Sequence, residues 1–314
     1  MNHALTMPRK FQHGFTLVEL LAAMILFSMI IGMTAWAVIG ATDTTTGAEK
    51  QMDTTSQARA FLDRFGADLN AMMDEGGLTA LYYGDTSNAA GNSAIGFVCR
   101  SRPRVASADS RGVVVGYRIN DTTDLSGSYP MISRGDAELR YSFDPSMPSM
   151  KSILENASND LEDGSSDLFQ LGGQPTWQVL GTGIIRFHIS FLLNTGRIVQ
   201  TPPDYKTTDN IFPEGVDTGS CKFIPFRAED SSDANRDYVV GLIASIAVLD
   251  TRTRDQAFKS DITSIVKFPG KFERPAAGSD KTALSVWNDK LLTADISKPV
   301  RANIRFYERM YTVR

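Results

Sequence analysis

Hydrophobic positions divide the chain into one unbroken apolar stretch, one one-sided stripe and a series of short runs. From Phe15 to about Ala41 nearly every residue is apolar or small, apart from Glu19 and a few Ser and Thr. A bilayer crossing needs ~20 apolar residues, so 15–41 is expected to be a transmembrane helix. Residues 1–14 form a short polar leader carrying Arg9 and Lys10. Past the stretch, Ala48, Met52, Ala58, Phe61, Leu62, Phe65, Leu69, Met72 and Met73 fall largely at three- and four-residue spacing. Gln57, Arg59, Asp63, Arg64 and Asp68 fill the other side. That is the pattern of an amphipathic helix with one packed face, stopped by Gly76-Gly77. Residues 15 to 75 are therefore expected as one long helix, apolar all round in its first half and one-sided in the second.

From residue 77 the period shortens. Ile95, Phe97 and Val98 open a strand, 112–119 is β-branched, and 138–143 alternates Leu139, Tyr141 and Phe143 against Glu138, Arg140 and Ser142. Sheet signals resume at Trp177-Gln178-Val179-Leu180 and over 183–193, where Ile185, Phe187, Ile189 and Phe191 alternate with Arg186, His188 and Ser190. Asn194-Thr195-Gly196-Arg197 predicts a turn, and Ile198-Val199 the return strand. Tyr238–Leu249 is too short to span a bilayer and reads as a central strand buried on both faces. Residues 282–292 suggest a short helix with Trp287, Leu291 and Leu292, and 304–311 an aromatic strand. Residues 144–174 and 201–237 are polar and proline-rich and read as long loops. The division is a leader (1–14), a transmembrane half-helix (15–41), an amphipathic half-helix (42–76) and a β-rich head (77–314). The fold class is α+β, with antiparallel sheets packed against the long helix.

Charge fixes orientation. Arg9 and Lys10 precede the apolar stretch, whereas Asp43, Glu49 and Lys50 follow it, which puts the N-terminus in the cytoplasm and the head outside. A secretory signal is the rival, but its apolar region would run only ~7–15 residues before a small-residue cleavage site. The net charge of -4 over 314 residues leaves no basic footprint, so no nucleic-acid partner is expected. The two cysteines, Cys99 and Cys221, could pair in an oxidising compartment or remain two buried thiols; their spacing leaves both open.

Chemistry is sparse. Of three histidines, His3 and His13 lie in the leader, leaving His188, which the alternation puts at a sheet surface. One histidine gives little material for a nucleophile–base pair, and no CxxC, HExxH or P-loop is present. Two Cys and one His do not fill a structural zinc site. Asp233, Asn235 and Asp237 begin like a calcium loop, but its sixth position is Tyr238 and its twelfth Ala244, so it is not an EF-hand. An irregular site there, or at Asp160, Glu162, Asp163 and Asp167, competes with a solvated loop as the reading. No cofactor, metal or catalytic residue is expected.

One residue does not fit an inert anchor. Glu19 places a carboxylate within the apolar stretch, where acids are costly and usually partnered. Gly14-Phe15-Thr16-Leu17-Val18-Glu19-Leu20, behind a basic leader, resembles the N-terminal signal of type IV prepilins and type II secretion pseudopilins. The resemblance implies cleavage between Gly14 and Phe15 by a membrane-embedded prepilin peptidase, methylation of the new Phe15 amine, and a Glu19 carboxylate that pairs with the Phe15 amine of a neighbouring subunit during filament assembly. It implies a non-enzymatic subunit held in the bacterial inner membrane with a periplasmic head, partnered by other pilins or pseudopilins through the helix, and later part of a filament. The order of a Trp-bearing strand at 177–180, then 184–191, then 239–249 is similar to the larger minor pseudopilins, the J type in particular, though 144–174 and 201–237 are longer. A pilin-like protein from another gene cassette is a further reading. The rivals are a membrane-anchored binding or enzyme domain that never polymerises, and a secreted product lacking 15–41.

Overall fold

The computed structural model describes residues 16–72, 80–83, 92–100, 112–120, 131–139, 176–203, 221–224, 226, 237–260, 280–293 and 298–313. Helix α1 runs Leu17–Asn70. It ends before the expected residue 75: Ala71 N–H donates to the Ala67 and Asp68 carbonyls, and Met72 forms a bridge with Cys99. Gly76 and Gly77 lie outside the described residues. The chain forms two compact units, one ending at Glu49 and the other running from Lys50 to Arg314.

In the first unit, large apolar side chains from Leu17 to Ile39 are all exposed, Trp36 most of all at 80%. Leu17–Ala41 makes ~37 Å of helix at 1.5 Å per residue, enough for a hydrocarbon core of about 30 Å. The last two residues of that stretch open the segment Gly40-Ala41-Thr42-Asp43-Thr44-Thr45-Thr46-Gly47. Thr42, Thr44 and Thr45 each donate their hydroxyl to the carbonyl four residues back, at 2.8, 2.8 and 2.9 Å, and Thr46 does the same toward Thr42. Relative to alanine, this composition forfeits on the order of 5 kcal/mol of helix propensity.

In the second unit, Ala58, Phe61, Leu62, Phe65 and Leu69 of α1 are buried, as their spacing demands. They meet two antiparallel sheets. The first has six strands: β1 (Ala80–Tyr83), β2 (Ala94–Cys99), β3 (Gly112–Asn120), β4 (Met131–Leu139), β5 (Thr176–Gly181) and β8 (Cys221–Phe223), in the order β5-β4-β3-β2-β1-β8. The second has β6 (Ile184–Leu193), β7 (Ile198–Val199), β9 (Val239–Val248) and β10 (Arg305–Thr312), in the order β10-β9-β6-β7. One core joins α1 to the inner faces of both: Phe97, Val113, Val115 and Tyr117 from one, Phe187, Ile189, Phe191, Leu242, Ala244 and Ile246 from the other. Its centre is aromatic. Phe65 lies 5.0 Å from Tyr117 and 5.3 Å from Tyr311, edge to face, and Phe61 lies 5.4 Å from Phe187.

The outer face of β9 is covered too. Ala247, Leu249 and Ile185 pack with Ala283 and Trp287 of α3 (Ala283–Thr293), Val300 of α4 (Lys298–Asn303) and Ile304. The expected central strand at 238–249 is therefore real and is buried on both faces, between β6 and β10. The turn at Asn194–Arg197 is real as well, with Gly196 at φ 81° and its N–H on the Leu193 carbonyl at 2.9 Å.

Several expectations change. The strand expected at 138–143 coincides with the end of β4 (Met131–Leu139) at 138–139, β4 begins earlier than expected, and 140–143 fall outside the described residues. Its Ser-Arg-Gly-Asp core carries no strand pattern, because the buried charges there are matched by partners rather than excluded. β1, α2 (Thr251–Ser260) and α4 were not legible, and β8 lies within an expected loop. In β6 the simple alternation breaks: Ile184 opposes Val248 while Arg186 opposes Ala247, so Ile185 is an extra residue that joins Arg186 on the outer face.

Candidate functional site

Thr16 is the residue just outside α1 and Glu19 stands in its first turn. The Thr16 N–H and hydroxyl both donate to Glu19 Oε2 at 2.9 Å, and the Glu19 N–H donates back to Thr16 Oγ1 at 3.3 Å. This is a capping box: two backbone donors that begin the helix are satisfied by reciprocal side chains. The Thr-x-x-Glu spacing was present in the sequence, but the reading of Glu19 as an intersubunit partner passed over it. Both accepted bonds fall on Oε2, so among the described residues Oε1 is left to accept from elsewhere. Gly14 and Phe15 lie outside the described residues.

Within the head, α1 is held by polar contacts at three levels. At its lower end the Asp53 carboxylate accepts from the Thr251 N–H and hydroxyl, at 3.1 and 2.9 Å, while Asp250 caps the same α2 helix through Thr253 N–H at 3.0 Å. Burial opposes the charge on Asp53, but the bonds from Gln57 and Thr251 outweigh it and hold its pKa below the ordinary value. Gln57 also accepts the Gly183 N–H at 2.8 Å. In the middle, the Tyr307 hydroxyl meets Thr54 and Thr55, and the Tyr311 hydroxyl donates to the Leu62 carbonyl at 2.6 Å.

At the upper end Asp68 is buried and accepts from the Tyr117 hydroxyl at 2.5 Å and Arg134 Nε at 2.6 Å. Arg134 reaches on to Asp136 at 3.2 Å. Burial acts against the Arg134 cation, yet the bond to Asp68 and that carboxylate's charge raise its pKa. Burial and the nearby Asp68 charge push the Tyr117 pKa up. The same two causes push the Cys99 thiol to about 12, and Cys99 Sγ–H lies 3.2 Å from the Asp68 carbonyl.

Cys99 is a free, buried thiol. The register explains why Cys221 is not its partner. Cys221 pairs with Tyr83, and Tyr83 pairs on its other side with Ala94, five residues from Cys99 along β2. At ~3.4 Å per residue and two strand spacings of about 4.8 Å, the Cα atoms stand roughly 20 Å apart, far beyond the ~6.8 Å limit of a disulfide. The disulfide alternative is thereby corrected.

His188 is corrected as well: it is fully buried, not at a sheet surface. Its Nε2 lies 2.8 Å from Gln200 Oε1, which also accepts from Ser190 at 2.9 Å, while Gln200 Nε2 donates to the Lys281 carbonyl. Those bonds make Gln200 Oε1 an acceptor, so Nε2 carries the imidazole proton and Nδ1 accepts from the Ser93 hydroxyl at 3.1 Å. Ser93 N–H in turn donates to the Phe187 carbonyl, which ties the chain leading into β2 to the edge of β6. The Ser–His contact is thus a stitch between the two sheets; a glutamine holds the place an acid would take in a catalytic triad. Of the calcium-like residues, Asp237 precedes β9, while Asp160, Glu162, Asp163, Asp167, Asp233 and Asn235 lie outside the described residues. Among the described residues, no three His, Cys, Asp or Glu side chains stand together as metal ligands.

Residues 9–35 match the family model described as the prokaryotic N-terminal methylation motif. The chain carries a prepilin-type N-terminus. The prepilin-type segment holds Glu19 and the first part of α1, which is long and apolar enough to cross a membrane. Among solved structures, a chain from the crystal structure of the GspK-GspI-GspJ complex of the enterotoxigenic Escherichia coli type 2 secretion system is similar at 15% identity. Its TM-score is 0.30, over 63% of this chain and 90% of that chain. No curated protein sequence matches this chain.

Proposed function

We propose that the chain is a minor, tip-located subunit of a type II secretion pseudopilus or a related type IV pilus-like filament. The observation that carries this reading is the methylation motif over 9–35, sitting on a helix whose whole apolar circumference is exposed. An exposed apolar surface of that extent needs a lipid or protein environment. A membrane supplies it before assembly, and the helices of neighbouring subunits supply it afterwards. Prepilin peptidase hydrolyses the Gly14–Phe15 bond on the cytoplasmic side of the inner membrane, and the freed Phe15 amine accepts a methyl group. The periplasmic head then meets partner subunits. Its long polar, proline-rich stretches at 144–174 and 201–237 argue for the tip, because a major subunit must stack on copies of itself.

The capping box gives Glu19 a resting state. In the free subunit Oε2 is held by Thr16, which lowers the cost of carrying a carboxylate near the membrane. On assembly the carboxylate turns to the cationic Phe15 amine of a neighbour, an attraction far stronger in an apolar medium than in water. The test is the intact mass of protein extracted from membranes of a host carrying a prepilin peptidase. Loss of Met1 to Gly14 with one added methyl is expected; a full-length, unmethylated mass would overturn the reading in favour of a plain membrane anchor. Glu19→Ala is expected to leave membrane insertion intact and abolish filament incorporation.

A further inference from the structure

Among the described residues the two antiparallel sheets present four edge strands, and three of them carry a device against strand addition. β8 is three residues long and includes Lys222, and β7 is two residues long. Beyond β7 the side of β6 is occupied by the chain leading into β2: Ser93 N–H donates to the Phe187 carbonyl, and Phe187 N–H donates to Asn92 Oδ1 at 3.1 Å. β10 places Arg305, Glu308 and Arg309 in eight residues, and Arg309 pairs with Asp63 of α1. Short strands, covering segments and edge charges all discourage a further strand. The fourth edge, β5, has none of these. Thr-Trp-Gln-Val-Leu-Gly over Thr176–Gly181 contains no ionisable group, and its one strand neighbour among the described residues is β4.

We propose that β5 is a docking edge for an extended segment of a partner protein, which joins the six-stranded sheet as a further strand. Alternate residues of an edge strand turn their backbone N–H and C=O away from the neighbour they already have. This edge is open to solvent: Val179 is 40% exposed, and Gln178 beside it is exposed. It is also rigid. Trp177 packs on Gly135 of β4, where an added Cβ would lie 3.0 Å from the indole, and the Arg118 guanidinium of β3 stands 4.4 Å from the ring centroid. An aromatic side chain already held by two neighbouring strands has little freedom left to lose on binding. The chemistry of the edge names its occupant. Outward backbone donors and acceptors are matched along their length by another strand, whereas a lipid chain has no such groups and a helix has used its own. Trp177 and Val179 lie on one side of β5, opposite Gly135 and Ser133. An incoming strand lays every second side chain beside that pair, where apolar and β-branched residues pair best with an aromatic. β5 offers no counter-ion, so the segment is uncharged at those positions. A head that takes up a strand is fastened through backbone bonds, independently of the contacts its long helix makes.

The probe is a synthetic Thr-Val-Thr-Val-Thr peptide with a lysine at each end, added to the full chain in phospholipid nanodiscs and followed by fluorescence anisotropy. Binding with a Kd below about 1 mM is expected. N-methylation of the valines is then compared with N-methylation of the threonines. One set of amides faces β5 and the other faces solvent, so one pattern is expected to weaken binding at least ten-fold and the other to leave it within two-fold. A diazirine residue in place of one valine is expected to attach within Thr176–Gly181. No binding at about 1 mM, equal effects of the two methylation patterns, or attachment outside β5 overturns the proposal. So does self-association of the chain that Val179→Lys abolishes, which would make a second copy the occupant. The readouts need neither a filament nor a processed N-terminus, so their failure leaves the subunit reading standing, and a full-length, unmethylated mass would sink that reading and leave the docking edge intact.

Discussion

Replacing Asp68 by alanine removes the one carboxylate that α1 inserts between itself and the six-stranded sheet. Asp68 is 4% exposed and Arg134 6%. Deleting one partner of a buried pair costs about 3–5 kcal/mol, because the other charge stays desolvated. Two features decide where in that range the change falls. Arg134 retains Asp136 at 3.2 Å, which softens the loss, while the Tyr117 hydroxyl loses its acceptor, which adds to it. A value near 3 kcal/mol follows, or a fall of roughly 6–12 °C in Tm for a domain of this size. Thermal unfolding of the detergent-extracted chain, read by near-ultraviolet circular dichroism, measures it. Arg134→Ala is expected to cost a similar amount, and the double variant much less than the sum, since removing both leaves no unpaired charge between them. If the two losses add within about 0.5 kcal/mol, the residues are not coupled and the reasoning is wrong.

Other consequences follow from the same geometry. The folded protein keeps the Cys99 proton up to about pH 12, while the unfolded chain releases it near 9. Tyr117 and Tyr311 are shifted in the same direction by burial. The folded state therefore binds more protons above pH 9, so stability must fall as pH rises from 9 toward 11; a urea midpoint that holds steady between pH 8 and pH 10.5 would contradict this. The native Cys99 thiol should also resist maleimide at neutral pH and react once the head is unfolded. Gly183→Ala would set a Cβ 2.3 Å from the Leu249 carbonyl oxygen, a backbone atom that cannot swing aside. A loss of about 1–3 kcal/mol is expected, and an unchanged denaturation midpoint would show that the β5–β6 connection has room to shift.

Local patterns had power where one residue type serves one environment. The stripe Ala58, Phe61, Leu62, Phe65, Leu69 could bury only one helix face, and the run at 239–248 only a doubly covered strand; both are so placed. Patterns failed where burial is satisfied by pairing. β4 hides Arg134 and Asp136 in a segment without a strand pattern, because Arg134 meets Asp68 of α1 and Asp136 meets Arg134 itself. His188 looked like a surface residue for the same reason: its acceptor and donor, Gln200 and Ser93, come from distant positions.

What the sequence determined by itself is therefore local and chemical: an apolar stretch long enough for a bilayer, an acid and a threonine three residues apart at its start, a helix stripe, and the strands whose side chains alternate or are uniformly apolar. Each follows from the few residues that make it. The tertiary structure decided which strands share a sheet, that Cys99 on β2 and Cys221 on β8 are separated by β1 and stand far out of register, and which polar side chains could be buried. Those outcomes depend on partners brought together from dozens of residues apart, and a desolvated charge or hydroxyl is tolerable only once such a partner is in place.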